Sequence, residues 1–406
     1  MTIFRKIPDD ILNYLNDFID IKDKVRLFGT MENNQELIKL CYIMNIVKNY
    51  ACLTDKILKS DIFNQLREIN VSSSRKVTNL NRFSKTLQII NISYYCTIDD
   101  NGIKDCLKLV NINANYNPKI KDLNKFYETL EVINIAGTCG VDDNGIKDCL
   151  KLINVSADDN SKIKDLNKFY LTLETININW NCGTTDNDIK DCSKLINISA
   201  SNNSEIRDLN KFYQTLQIID ISGHYCGVSD NGIKNCSKLI KIHAGDNSKI
   251  KNLNNFNLTL QVININYICG VDDSGIEDCL RLVEIYASGN QKIKNLNKFS
   301  ETLKIIDINS SCGVDDDGIK NCLKLVKIRA NDNSKITNLN RFAKTLQIIN
   351  IGGNCGVGDN GIENCFELIK MDTYLNSKTT MEKYENCIYP VLSRFVYNKV
   401  TGKLIF

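Results

Sequence analysis

Cysteine sets the frame for this chain. Cys106, Cys149, Cys192, Cys236, Cys279, Cys322 and Cys365 follow one another at intervals of 43 or 44 residues. A second series, Cys96, Cys139, Cys182, Cys226, Cys269, Cys312 and Cys355, runs ten residues ahead at the same period. Fourteen of the seventeen cysteines belong to this one pattern. Leu-Asn pairs beginning at Leu80, Leu123, Leu166, Leu209, Leu253, Leu296 and Leu339 keep the same step, each with Phe three residues after its Leu. A fixed period of this length marks a stacked array, in which each unit covers the apolar face of its neighbour and no unit closes a core alone.

Each 43-residue unit holds two related halves. One, at 152–169, places Leu152, Val155, Ala157, Asn160 and Ile163; the other, at 173–189, places Leu173, Ile176, Ile178 and Ile189. Both fit L-x-x-L-x-L-x-x-N/C, so the array resembles the leucine-rich repeat. Strand-like starts recur from Leu66, Leu87 and Leu109 to Leu368, fifteen in all. Positions 1, 4 and 6 of each start point inward by the alternation of a strand. The expected fold is an α/β leucine-rich-repeat solenoid, with a curved parallel sheet on its concave face and short helices and turns on its convex face. Ile120 to Phe126, with apolar residues three apart, reads as a helical turn. Asp142, Asp143 and Asn144 before Gly145 read as the capped start of another. Fifteen strands at ~4.8 Å would make a sheet roughly 70 Å long, the dimension of a protein partner rather than of a metabolite.

Charge and cysteine usage narrow the function. The chain has 406 residues, 43% of them apolar, and a formal net charge of only +3. Its charges are scattered, which argues against nucleic-acid binding. Asp9, Asp10, Asp17 and Asp20 interrupt any apolar leader, and no run of about 18 apolar residues offers a membrane span. The expectation is a soluble protein, not secreted, in a reducing compartment: the cytoplasm, with the nucleus also open to it. Repeat cysteines ten residues apart, in every unit, with only His224 and His243 as histidines, do not converge as zinc ligands do; they read as reduced core residues. Asn117, Asn160, Asn203, Asn247, Asn290 and Asn333 share one repeat position and read as a hydrogen-bonding stack for the backbone of adjacent turns. Neither a cofactor nor a catalytic residue is expected.

Residues 1–45 leave the repeat. Ile7-Pro8-Asp9-Asp10 opens like a helix with Pro in its first turn, and Ile11, Leu12, Leu15, Phe18 and Ile19 form one apolar face. Read plainly, this is a cap over the first repeat. With Asp23, Val25 and Leu27, the segment also resembles an F-box. The repeats, with Cys149-x-x-Leu152-x-x-Val155, resemble the cysteine-containing class found in F-box proteins, most of all those of large amoeba-infecting DNA viruses. The second-half cysteine lies one position later than in that class. The resemblance implies a small all-α F-box-like domain at 1–45, a helical linker or N-cap at 46–65, the solenoid at 66–378 and a C-terminal cap at 379–406. It implies that Pro8, Ile11, Leu12, Leu15 and Ile19 dock a Skp-type adaptor within a cullin ubiquitin ligase, with the solenoid holding the protein to be modified.

Contacts to that protein are expected at outward strand positions. Position 5 is a monotonous Asn or Asp in second halves (Asn91, Asn134, Asp220, Asn264) but varies in first halves, which include His243, Tyr286 and Arg329. Tyr94, Tyr116, Trp180 and Tyr267 fall near strand ends. Aromatic and Arg side chains are the usual anchors of interfaces, so these seven are the candidate target-binding residues. Two other readings stay open: a repeat scaffold whose first helices are only a cap, and a ligase with a catalytic tail, for which the residues after the last strand, with Cys387, are too few.

Overall fold

A computed structural model describes residues 53–380, together with the two-residue strands Ile46–Val47, Tyr389–Pro390, Val396–Tyr397 and Leu404–Ile405. The F-box-like segment with Pro8, Ile11, Leu12, Leu15 and Ile19, and the C-terminal cap around Cys387, lie outside the described residues. The chain divides between Leu195 and Ile196 into two units, each a leucine-rich-repeat solenoid.

In the first unit, β1 (Ile46–Val47), β2 (Glu68–Asn70), β3 (Ile89–Asn91), β4 (Asn111–Asn113), β5 (Val132–Asn134), β6 (Asn154–Ser156) and β7 (Thr175–Asn177) pair in chain order, all parallel. In the second, β8 (Asn197–Ser199) is followed by β9 (Ile218–Asp220), β10 (Lys241–His243), β11 (Val262–Asn264), β12 (Glu284–Tyr286), β13 (Ile305–Asp307), β14 (Lys327–Arg329), β15 (Ile348–Asn350) and β16 (Lys370–Asp372), again in order and parallel. Register is constant: Ile90 faces Ile112 and Ile112 faces Ile133, as Ile285 faces Ile306. The middle residue of each strand is buried, and so is the Leu three residues before it. A one-residue slip would turn that whole row to solvent, which is why so short a strand holds its place.

Burying a Leu or Ile is worth roughly 1.5–3 kcal/mol relative to leaving it exposed. Each coil from that of β2 to that of β15 buries a Leu, the strand residue and the residue two beyond it, as at Leu109, Ile112 and Ala114. Between them run polar columns. Asn160 donates its Nδ2 hydrogens to the carbonyls of Ile135 (2.8 Å) and Val141 (3.2 Å) of the preceding coil, while its Oδ1 accepts from Lys162 N–H. Asn117, Asn247, Asn290, Asn333 and Asn376 make the same triple bond pattern. One buried amide thus satisfies three backbone groups that a tight bend would otherwise strand.

The cysteines form a second column. Cys106, Cys149 and Cys192 in the first unit, and Cys236, Cys279, Cys322 and Cys365 in the second, each place Sγ 3.3–3.5 Å from the carbonyl of the Leu one coil back. Burial pushes the Cys106, Cys149 and Cys279 thiols up to about 12, so they stay protonated. The ten-ahead series is buried too but approaches carbonyls more loosely, as at Cys139 and Ile120 (4.0 Å). Its later position is accommodated by a Cys-Gly corner: a Cβ on Gly140 would press into the carbonyls of Ile120 and Pro118.

The return segments are single turns rather than extended helices. Asn124–Phe126 and its equivalents are 3-10 turns, and the capped segments are turns of three or four residues, α-helical only at Asp100–Ile103 and Asp230–Ile233. The expected caps are present: the Asp142 carboxylate accepts Gly145 N–H at 3.0 Å. A 21- to 23-residue coil leaves chain for no more than one turn on each side. A further column, not anticipated as a hydrogen-bonding one, is the Asn of the Leu-Asn pair. Asn124 donates to the Asn144 carbonyl (2.7 Å) and accepts from Asp148 N–H (2.9 Å), both one coil ahead.

Candidate binding face

The first and last residues of each strand point outward, and the last of them decides how the strand ends. At most strands where it is Asn or Asp, its Oδ1 accepts the N–H two residues on, as Asn91 does from Ser93 (3.2 Å), Asn134 from Ala136 (3.2 Å) and Asp220 from Ser222 (3.1 Å); after Asn177 and Asn350 that N–H goes instead to Asp158 Oδ1 and Asn331 Oδ1. Most of the repetitive Asn and Asp of second halves are therefore strand terminators. At Tyr286 and Arg329 the work passes to the coil before. Asn266 Oδ1 accepts Ser288 N–H and Asn309 Oδ1 accepts Asn331 N–H, each at 2.7 Å. Tyr286 and Arg329 are left without a backbone duty.

In the second unit these side chains share one outward row. Tyr286, Asp307 and Arg329 occupy matching positions on consecutive strands β12, β13 and β14. Arg329 Nη1 lies 3.5 Å from Asp307 Oδ2, and Tyr286 Oη donates to Glu284 Oε2 at 2.7 Å. Burial and that carboxylate push the Tyr286 phenol up to about 12. Burial holds Lys327 below its usual range, helped by Arg329 and Lys370. His243, on β10, is likewise lowered by burial, against the pull of Asp220. The row is dense in charge of both signs.

Tyr94, Tyr116, Trp180 and Tyr267 are not on the strands. They stand at the corner that follows, at a position where every coil turns through positive φ: Ser73, Tyr94, Tyr116, Gly137, Asp159 and Trp180 in the first unit, and Asn202, Gly223, Asp246, Tyr267, Gly289, Ser310, Asp332, Gly353 and Leu375 in the second, with φ between +54° and +94°. Gly, Asn and Asp enter this left-handed region readily; large aromatic residues enter it at a cost of roughly 1–2 kcal/mol. The conformation extends the ladder, since the Tyr94 and Tyr116 N–H groups donate to Asn115 and Ala136 carbonyls of the next coil at 2.9 and 3.0 Å.

Two of these corner aromatics meet. The Tyr94 and Tyr116 rings stack with centroids 5.7 Å apart and planes 8° from parallel. The Tyr116 ring lies over Gly137, where a Cβ would collide with it. Tyr95, also at positive φ, stands beside them; Tyr94 is 52% exposed and Tyr95 63%. Trp180 is 55% exposed, two coils beyond Gly137 on the same edge, and Tyr267 is 55% exposed in the second unit. The sequence reading passed over Tyr95 and the shared corner, because a left-handed turn filled by seven residue types shows no residue period. Among the described residues no group of His, Cys, Asp and Glu is arranged to hold a metal, and no helix is long and apolar enough to cross a membrane.

No family model matches the sequence, and no curated protein matches it. Among solved structures the chain is similar to an internalin, inlF, from Listeria monocytogenes, at 13% identity over 87% of this chain and 94% of that one, with a TM-score of 0.48. It is also similar to the functional domain of InlJ from Listeria monocytogenes, which includes a cysteine ladder (14% identity, 78% of this chain and 76% of that one, TM-score 0.44). A third is TLR13 in complex with ssRNA13 (10% identity, 88% of this chain and 63% of that one, TM-score 0.43). The repeat fold rests on the parallel register and the columns between coils described above.

Proposed function

We propose that the chain is the substrate-recognition subunit of a Skp–cullin–F-box ubiquitin ligase, contributing proximity and orientation while its partners carry the chemistry. In this reading Pro8, Ile11, Leu12, Leu15 and Ile19 dock the adaptor, and the outward face holds the protein target. The observation that supports target binding is the release of Tyr286 and Arg329 from backbone duty beside Asp307. An aromatic and a guanidinium that close no backbone are the kinds of side chain most enriched at interface hot spots. His243 lies on the same sheet face of the second unit, where Tyr267 offers further aromatic area at a corner; Tyr94, Tyr116 and Trp180 are the candidate contacts of the first unit.

The adaptor half is tested by co-purification with a Skp-type adaptor: Leu12→Asp with Leu15→Asp abolishes capture if the reading holds. Unchanged capture, or none by the parent chain, leaves the second reading, a repeat scaffold without a ligase. Tyr286→Ala with Arg329→Ala is expected to weaken target retention at least tenfold in proximity labelling, with adaptor capture intact.

A further inference from the structure

Strain and chemistry coincide on the exit edge of the first unit. Tyr94, Tyr116 and Trp180 sit at positive φ, where this same chain uses Gly, Asp and Ser in neighbouring coils, and Tyr95 next to Tyr94 is at positive φ as well. They are held against the backbone's preference, and three of the four are more than half exposed, so core packing does not account for them. The stack is also built: Gly137 carries no side chain where the Tyr116 ring needs the space. Rings held rigid at this cost offer flat apolar faces to something outside the chain.

The adjoining strand face says what that is. Across β2 to β7 the outward first and last strand residues include one charge, Glu68; the rest are amide, hydroxyl or apolar. Asn91, Asn113 and Asn134 spend Oδ1 on their own strand ends. Their Nδ2 groups, which take no acceptor among the described residues, are presented in a row at the coil spacing of ~4.8 Å. Trp180 stands three coils, about 14 Å, along the edge from Tyr116. Nucleic acid would need cations here; the edge instead carries Asp158 and Asp159. Uncharged donors repeating at a fixed step, beside stacking rings, complement an uncharged, repeating polyol whose C–H faces lie on aromatics and whose hydroxyls accept from amides.

We propose that the stacked Tyr94–Tyr116 pair, with Trp180 and the Asn91–Asn113–Asn134 row, binds a neutral oligosaccharide chain. This site lies in the first unit, apart from the charged row of Tyr286 and Arg329, and stands whether or not the ligase reading does.

The test uses the full-length chain on an array of neutral hexose and N-acetylhexosamine oligomers, sialylated and sulfated counterparts, and uncharged Pro-rich peptides. Trp180, the one tryptophan, reports retained oligomers by fluorescence titration. Neutral oligomers are expected to bind and to shift Trp180 emission. Tyr94→Asn and Tyr116→Asn, chosen because Asn accepts positive φ, should weaken binding at least tenfold with unchanged circular dichroism. Tyr286→Ala with Arg329→Ala should leave binding as it was. Retention of charged glycans or peptides alone, of nothing, or binding that Tyr94→Asn and Tyr116→Asn leave within twofold would overturn the assignment.

Discussion

Single residues carry unequal loads here, and their exposure ranks them. Asn160→Ala removes the donors to two carbonyls that no water reaches easily, and each unsatisfied group costs about 1–3 kcal/mol. A loss of roughly 2–4 kcal/mol in urea unfolding is expected, and Asn290→Ala should match it. Asn167→Ala, whose partners are exposed, should cost under ~1 kcal/mol. Equal losses at Asn160 and Asn167 would contradict this ranking. His243 gives the pH dependence. Its folded value is lowered from 6.5, so the unfolded chain binds the proton more readily. The contribution of His243 is intact above 6.5 and erodes as pH falls below it. Urea midpoints of the parent chain should drop more steeply between pH 7 and 5 than those of His243→Gln; parallel slopes would exclude the effect. The buried Asn and Cys columns were legible in the sequence because one residue type serves one geometry. Tyr286 and Arg329 were legible only as variation; what freed them, Asn266 and Asn309 acting across coils, has no signature within a single repeat.

At the scale of the element, a coil is a three-residue strand between two single turns, and its corner is the place where backbone preference and side chain disagree. Trp180→Asn exchanges a residue that enters positive φ reluctantly for one that enters it readily. Thermal unfolding should show stability unchanged or raised by up to about 1 kcal/mol; a loss above ~1 kcal/mol would mean that the indole packs for stability. Gly137→Val should do the opposite, adding branched bulk at φ +62° beneath the Tyr116 ring. The strands were readable from Leu spacing alone, since positions 1, 4 and 6 are buried as alternation requires. The turns were readable too: apolar residues three apart at Ile120 to Phe126 describe a helical turn, and the chain length between strands leaves room for no more.

For the whole molecule, coils recognise their neighbours in alternation. A first half donates the amides of its Asn column to the second half before it, a second half closes through Cys and Gly, and each ladder bond joins unlike halves. Removing residues 254–296, one full period from an Asn to the residue before its equivalent, should leave a folded chain with unchanged circular dichroism per residue and a lower unfolding midpoint. Removing a single coil of that stretch should lose most cooperativity, because like halves would then adjoin. Equal tolerance of both deletions would show the halves to be interchangeable. The period of 43 was the clearest thing in the sequence. The division at Leu195 was not visible there, since the period runs through it unbroken.

Delegating the end of a strand to the coil before it has a genetic corollary. Codons 286 and 329 can mutate under selection for a new partner with Asn266 and Asn309 still closing the backbone, while a change at Asn91 or Asn134 costs folding and recognition together. Diversity among related genes should accordingly gather in alternate coils, like text written on every second line.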